Sequence, residues 1–270
     1  MIPIKAQDRR APLTNKGKIP VHGEDAATGH ALRSARLLLE SYAGTDLPQW
    51  DLFAANVRSV RVEPGSVLFG IGDTHPYVYF VQHGLLKAQV QSDGGRLATA
   101  FFSEDGDVLA SMTALGMDGV RRTVTRRLHP RAVSMAAAGA AQSIHQVTAI
   151  ESSLLLRVAF RVIEHLANQH VAWGRLVASI AVMHATSLQM DVTWLRGTPE
   201  QRYRRFLDDN PALASRLTQR DLANYLNVTD VALSRIAKRV RGESAATAAA
   251  LDALVRDAEV ETLAEDGVPG

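Results

Sequence analysis

The chain has 270 residues, a formal net charge of +2, 46% hydrophobic and 21% charged residues, and no cysteine. That length suits one large domain or two ordinary ones, and the composition excludes wholesale disorder. The missing cysteines exclude disulfide frameworks, thiolate zinc sites, cysteine nucleophiles and cysteine-held iron–sulfur clusters.

Met1–Lys5 lacks the apolar core of a signal peptide. The longest run without a charged side chain in the second half, Leu176–Met190, is shorter than the ~20 apolar residues that span a bilayer. A cytoplasmic protein with no membrane partner is therefore expected. Residues 1–48 read as a flexible N-terminal arm with one short helix, about Ala31–Ser41, whose Leu32, Ala35, Leu38 and Leu39 share a face. Trp50–Val57 reads as a second short helix.

From Val57 the texture changes. Val60–Val62, Val67–Phe69, Tyr77–Val81, Leu85–Gln91 and Arg96–Phe102 are strand-length runs, each closed by turn residues such as Glu63-Pro64-Gly65, Gly70-Ile71-Gly72-Asp73 and Gln82-His83-Gly84. Asp93-Gly94 favours a hairpin between two of them. Gly116–Ala141, with five arginines and an alanine-rich end, reads as an insertion, after which Ser143–Leu156 is strand-like again. The expected unit is a β-roll over 49–159.

Residues 160–196 read as helix. Leu176, Ile180, Met183, Ser187, Met190 and Trp194 step by four and three, a spacing that fits both a coiled-coil seam and a helix facing its own core. Thr198-Pro199 with Gln201 forms the pattern of a capping box opening the next helix. Glu200–Gly242 holds nine basic and five acidic residues, +4, whereas Glu243–Gly270 holds one basic and seven acidic, −6. Such an asymmetry fits a nucleic-acid face or a solvated helix surface. The last segment, 243–270, is read as an acidic tail, helical around Ala245–Arg256.

Within 197–242, Leu217–Val240 has the form of a helix-turn-helix. Thr218 caps a first helix that buries Leu222, Ala223 and Leu226. Asn227 can take the left-handed conformation that ends it, and Thr229 caps a second helix with Leu233, Ile236 and Val240 inward. A helical hairpin of another fold has a similar pattern. In a DNA-reading unit the outward residues are Thr218, Gln219, Thr229, Asp230, Val231, Ser234, Arg235, Lys238 and Arg239. Arg235 can fork to guanine, whereas Lys238 and Arg239 suit phosphate.

The order of these pieces resembles the Crp/Fnr family of bacterial transcription regulators. The likeness rests on Glu63–Asp73 with Tyr77–Lys87, on Ala149–Leu156, and on Thr218–Val240 with Leu233-Ser234-Arg235-Ile236. It implies an α+β fold: a cyclic-nucleotide-binding-type β-roll, a long dimerisation helix and a C-terminal helix-turn-helix. It also implies a homodimer, with Leu176, Ile180, Met183, Ser187, Met190 and Trp194 as the dimer seam. Double-stranded DNA with a roughly palindromic operator, RNA polymerase and a small-molecule effector are the implied partners.

The effector pocket of the family maps onto Ala110, Ser111, Met112, Thr113, Gln142 and Ser143. These offer no carboxylate for a ribose and no arginine for a phosphate, so cyclic AMP is not the expected effector. Val231 stands where many members have a cytosine-reading glutamate. No HExxH, glycine-rich phosphate loop or GxSxG occurs. Neither catalysis nor a cofactor or metal is expected. The competing reading is a β-roll module that senses a ligand or binds a protein and no longer binds DNA.

Overall fold

The computed structural model describes residues 21–22, 26–91, 94–115 and 142–243. Nine strands, β1 (Val21–His22), β2 (Arg58–Val62), β3 (Val67–Phe69), β4 (Tyr77–His83), β5 (Leu85–Gln91), β6 (Leu97–Glu104), β7 (Val108–Ala110), β8 (His145–Ala149) and β9 (Ser153–Ala159), form two antiparallel sheets among the described residues. The first runs β1-β2-β9-β4-β7 and the second β3-β8-β5-β6. The Gln91↔Leu97 register closes β5 and β6 into the expected hairpin; Asp93 lies outside the described residues.

Period-two alternation explains the layering. Tyr79 and Val81 of β4 and Leu155 of β9 point between the sheets, where they meet Leu68, Phe69, Leu86, Leu109 and Val147. Val78 and Phe80 of β4 and Leu156 and Val158 of β9 point the other way, into a helical layer. Both faces of the first sheet are thus covered, which is why Tyr77–Val81 is continuously apolar instead of alternating.

That layer contains α1 (Ala26–Ala43), α2 (Trp50–Ala55), α3 (Phe160–Gln169) and the start of α4 (Val171–Leu195). α1 is longer than the short helix expected within an arm. Ala31, Ala35, Leu39 and Ala43 are buried, and the helix packs into the core beside α4. Fully buried Trp173 joins α4 to α2: its indole N–H donates to the Pro48 carbonyl at 2.8 Å, and its ring lies 5.1 Å from that of Phe53.

The single helix expected over 160–196 is broken at His170, whose extended backbone (φ −134°, ψ 122°) separates α3 from α4. The six seam positions divide between the chain's own core and its exposed surface. Leu176 is buried and Ile180 half-buried against the chain's own Leu39, Phe53 and Trp173, and Trp194 stacks on Tyr225 at 5.0 Å. Of the six seam positions only Met183, Ser187 and Met190 are exposed. The seam spacing at the start of α4 marks the side facing its own core.

After α4 come α5 (Pro199–Asp209), α6 (Pro211–Arg216), α7 (Gln219–Tyr225) and α8 (230–243). The capping box at Thr198 and Gln201 is present as read. Phe206, Leu213, Leu222, Ala223, Leu226 and Leu233 form a third core that also takes in Leu85, Phe102 and Ile150 of the β-roll. The insertion 116–141 and the acidic tail from 244 onward, with its helix around Ala245–Arg256, lie outside the described residues.

Candidate nucleic-acid interface

Local chemistry builds the α7–turn–α8 unit. The Thr218 hydroxyl accepts from the Asp221 N–H at 3.1 Å and donates to its carboxylate at 2.6 Å, satisfying one of the orphan donors of the first turn. Asn227 holds φ +54° and ends the helix, and the Val228 N–H turns back to the Ala223 carbonyl at 3.0 Å. The Thr229 hydroxyl then accepts from the Ala232 N–H at 3.2 Å to open α8. Leu233 and Val240 fix its inner side.

The outer side presents Asp230, Val231, Ser234, Arg235, Lys238 and Arg239, all exposed, with Thr218, Gln219 and Thr229 exposed beside them. Val231, 62% exposed, is an apolar side chain at the first turn of the helix. Gln219 donates to the Asp230 carbonyl at 3.2 Å and ties the two helices together. Arg235 and Lys238 have no ion-pair partner among the described residues, whereas Arg239 is held by Glu200 at 2.6 Å.

Much of the basic excess of this segment is consumed internally. Arg202 is buried, Arg204 pairs with Glu200 and Glu243, and Arg205 pairs with Asp209. Arg216 reaches into the β-roll, where its guanidinium donates to Glu151 (2.8 and 3.2 Å), Glu104 (3.1 Å) and the Gly84 carbonyl (2.9 Å). The Arg216 hydrogen bonds hold the Glu151 carboxyl below its usual range. For Asp105 nearby, burial works upward but is outweighed by the Gly84 N–H, His83 and Arg216.

Two further bridges dock α7 on the β-roll. Lys87 pairs with Asp221 at 2.6 Å. Burial acts upward on the Asp221 carboxyl, but the Lys87 and Thr218 hydrogen bonds and the charges of Lys87 and Arg220 keep it low. The Asn224 side chain accepts from the Thr99 N–H at 2.6 Å and donates to the Leu97 carbonyl at 3.1 Å, satisfying the free side of edge strand β6. Sequence reasoning missed this docking; its one local signal was polar Asn224 beside the buried positions of α7.

The six residues mapped as an effector pocket separate into two groups. Ala110, Met112 and Thr113 line a cavity of about 660 Å³ with Thr99, Phe101, His145, Trp194 and Tyr225. Ser111 is buried within 3.3 Å of the Thr113 hydroxyl. Ser143 is buried and spends its groups on Asp73, Gly72 and His145, and Gln142 is exposed. A smaller cavity of about 280 Å³ lies between β6, β7 and α4, lined by Phe102, Asp107, Ala110, Ile180 and Met183 among others. Among the described residues no three metal-binding side chains converge, and no helix is long and apolar enough to cross a membrane.

The described residues thus comprise a β-roll, a helical connector and a helix-turn-helix. No family pattern matches the sequence, and no curated protein matches it. Solved structures do match. FixK2 from Bradyrhizobium japonicum superposes with a TM-score of 0.53 at 19% identity, over 70% of this chain and 86% of that one. A protein assigned to the crp/fnr family of transcriptional regulators from Eubacterium rectale gives 0.53 at 14%, over 74% and 85%. The c-di-GMP responsive global regulator CLP of Xanthomonas campestris gives 0.52 at 14%, over 72% and 91%. The chain has the Crp/Fnr regulator fold, including its cyclic-nucleotide-binding-type β-roll.

Proposed function

We propose that the chain is a sequence-specific DNA-binding transcription regulator of Crp/Fnr type acting as a homodimer. The observation that carries this reading is the exposed outer face of α8, with Val231, Ser234, Arg235 and Lys238 on a helix that Thr229 caps and the Asn227 turn joins to α7. Placed in a major groove, Arg235 forks to a guanine, Val231 packs against a thymine methyl and Lys238 meets phosphate. Val231 replaces a carboxylate acceptor with an apolar surface, so a cytosine preference at that position is not expected.

The homodimer part rests on α4. It carries only Arg175 and Asp191 as charged residues over 25 positions. From Ala181 to Ser187 its residues are exposed all round, unusual for so apolar a helix unless a partner covers it. Exposed Val171, Arg175, Ala178, Val182, Ala185 and Gln189 recur at steps of four and three, opposite the side that packs on α1 and α2. That stripe, flanked by Met183 and Met190, is the dimer surface in this account. In a two-fold dimer the α8 helices read half-sites ~34 Å apart.

The test is the double variant Arg235→Ala/Lys238→Ala, checked for unchanged circular dichroism. Loss of one bidentate base contact removes about 1–3 kcal/mol of discrimination, or about 5- to 150-fold in specific affinity. Unchanged specific binding would remove α8 from the interface.

A further inference from the structure

Two stretches of opposite charge adjoin at the end of α8. After Asp230 the helix carries Arg235, Lys238, Arg239 and Arg241, and no acid before Glu243. All four basic side chains are exposed. Glu200 holds Arg239, and Arg241 donates to the Ala237 carbonyl of its own helix at 3.2 Å. Arg235, Lys238 and Arg241 have no ion-pair partner among the described residues. They follow one another at steps of three, so each is a neighbour of the next on the helix surface. Like charges at that spacing repel, and together they build a local positive potential.

The sequence after Glu243 carries the opposite charge. Residues 244–270 hold Asp252, Asp257, Glu259, Glu261, Glu265 and Asp266 against Arg256 alone, which is 1 − 6 = −5. Asp257–Asp266 places five acids in ten residues with no base among them. The chain enters this stretch already turned toward the basic domain, because the Glu243 carboxylate pairs with Arg204 of α5. Thirteen residues lie between Glu243 and Asp257. Extended they span ~45 Å, several times the ~12 Å from Arg235 to Glu243 along α8. The acids therefore reach every cation on that side. A tether of this kind gives an effective concentration in the millimolar range, at which individually weak surface pairs act together.

We infer that Asp257–Asp266 docks on Arg235, Lys238 and Arg241 as an intramolecular anion and competes with duplex DNA for the outer face of α8. The docking stands on charge and tether length; the competition rests on the proposed role of α8 in reading DNA. The segment then lowers the apparent DNA affinity most at low salt, where its ion pairs are strongest.

The first measurement needs no DNA. Lys238 is the single lysine after Lys87, so carbodiimide cross-linking of the full chain at ~0.05 M salt gives a readable product. The expected result is an amide between Lys238 and a carboxylate of 257–266, in a product that runs as one chain on a denaturing gel. The Lys87–Asp221 pair, 2.6 Å apart, supplies the internal standard. Recovery of the Lys87–Asp221 link without the Lys238 link would overturn the docking, as would a Lys238 link confined to a two-chain product. The second measurement compares wild type with the full-length variant Asp257→Asn/Glu259→Gln/Glu261→Gln/Glu265→Gln/Asp266→Asn. The variant should bind random-sequence duplex about tenfold more tightly at ~0.05 M salt and within about twofold of wild type at ~0.5 M. Duplex DNA should also protect Lys238 from the cross-link. Equal affinities at low salt would overturn the competition. Failure of both chains to bind DNA would count against the regulator reading, and the Lys238 link would then decide the docking by itself.

Discussion

Replacing Arg216 with Met tests whether the helix-turn-helix is held on the β-roll by the contacts described. Arg216 is 24% exposed and makes four hydrogen bonds to the β-roll, two of them to Glu151, whose side chain is 35% exposed. Breaking a fully buried pair costs about 3–5 kcal/mol, and an exposed pair is worth about 0–1. At this intermediate exposure, with Met retaining most of the stem packing, the loss should be about 2 kcal/mol. That is roughly a 30-fold shift in the docking equilibrium.

Hydrogen exchange of the Leu222–Leu226 and Thr99 amides reads it: about 30-fold faster exchange in Arg216→Met, with the strands between the two sheets unaffected. The pH dependence has a defined sign. The folded Glu151 pKa lies below its unfolded value, so its contribution is full above about pH 4.3 and lost as pH falls through the folded value. Wild type and variant should therefore converge in acid. Exchange of the α7 amides within twofold of wild type at neutral pH would refute the clamp, and an undiminished difference at pH 3 would refute its ionic basis.

Burial, with a smaller contribution from Arg157, outweighs the Asp73 charge and lowers the His75 pKa to about 4; its ring stacks on Phe69 at 4.4 Å. Here the unfolded state takes up the proton first, so stability should fall from pH 6.5 to 4 by up to about 3 kcal/mol, and urea midpoints of His75→Phe should lose that slope. Gly84 holds φ +120°, and an added Cβ would sit 2.6 Å from the Ser153 Cα; Gly84→Ala should cost at least about 3 kcal/mol by chemical denaturation. At Asn227 (φ +54°), Gly should be tolerated, whereas Val should cost roughly 1–2 kcal/mol, read as a drop in melting temperature.

Local periodicity and turn chemistry made much of the fold legible. Five of the strand runs, from Val60–Val62 to Arg96–Phe102, coincide with β2 to β6 because each is a short run rich in β-branched or aromatic residues followed by turn residues such as Gly, Pro or Asp. The three-residue β7 had no such pattern of its own and forms by pairing with Val78–Phe80. The Thr218, Asn227 and Thr229 signals place the helix-turn-helix because caps are local. Contacts between distant parts were not legible: Lys87 and Asp221 are 134 positions apart, and Thr99 and Asn224 are 125 apart. For the same reason Arg216 read as one more basic residue rather than as a clamp, and Leu176 as a dimer position rather than part of its own core.

The most direct test of the central claim is selection of the full-length protein against a random-sequence duplex pool at ~0.15 M salt, where purely electrostatic binding is suppressed. The account predicts enrichment of a two-fold-symmetric site whose half-sites lie one helical turn apart (~34 Å) and contain a guanine beside a thymine. It also predicts loss of that enrichment in Arg235→Ala/Lys238→Ala. Failure to enrich any site, or enrichment of a site without two-fold symmetry, would contradict it.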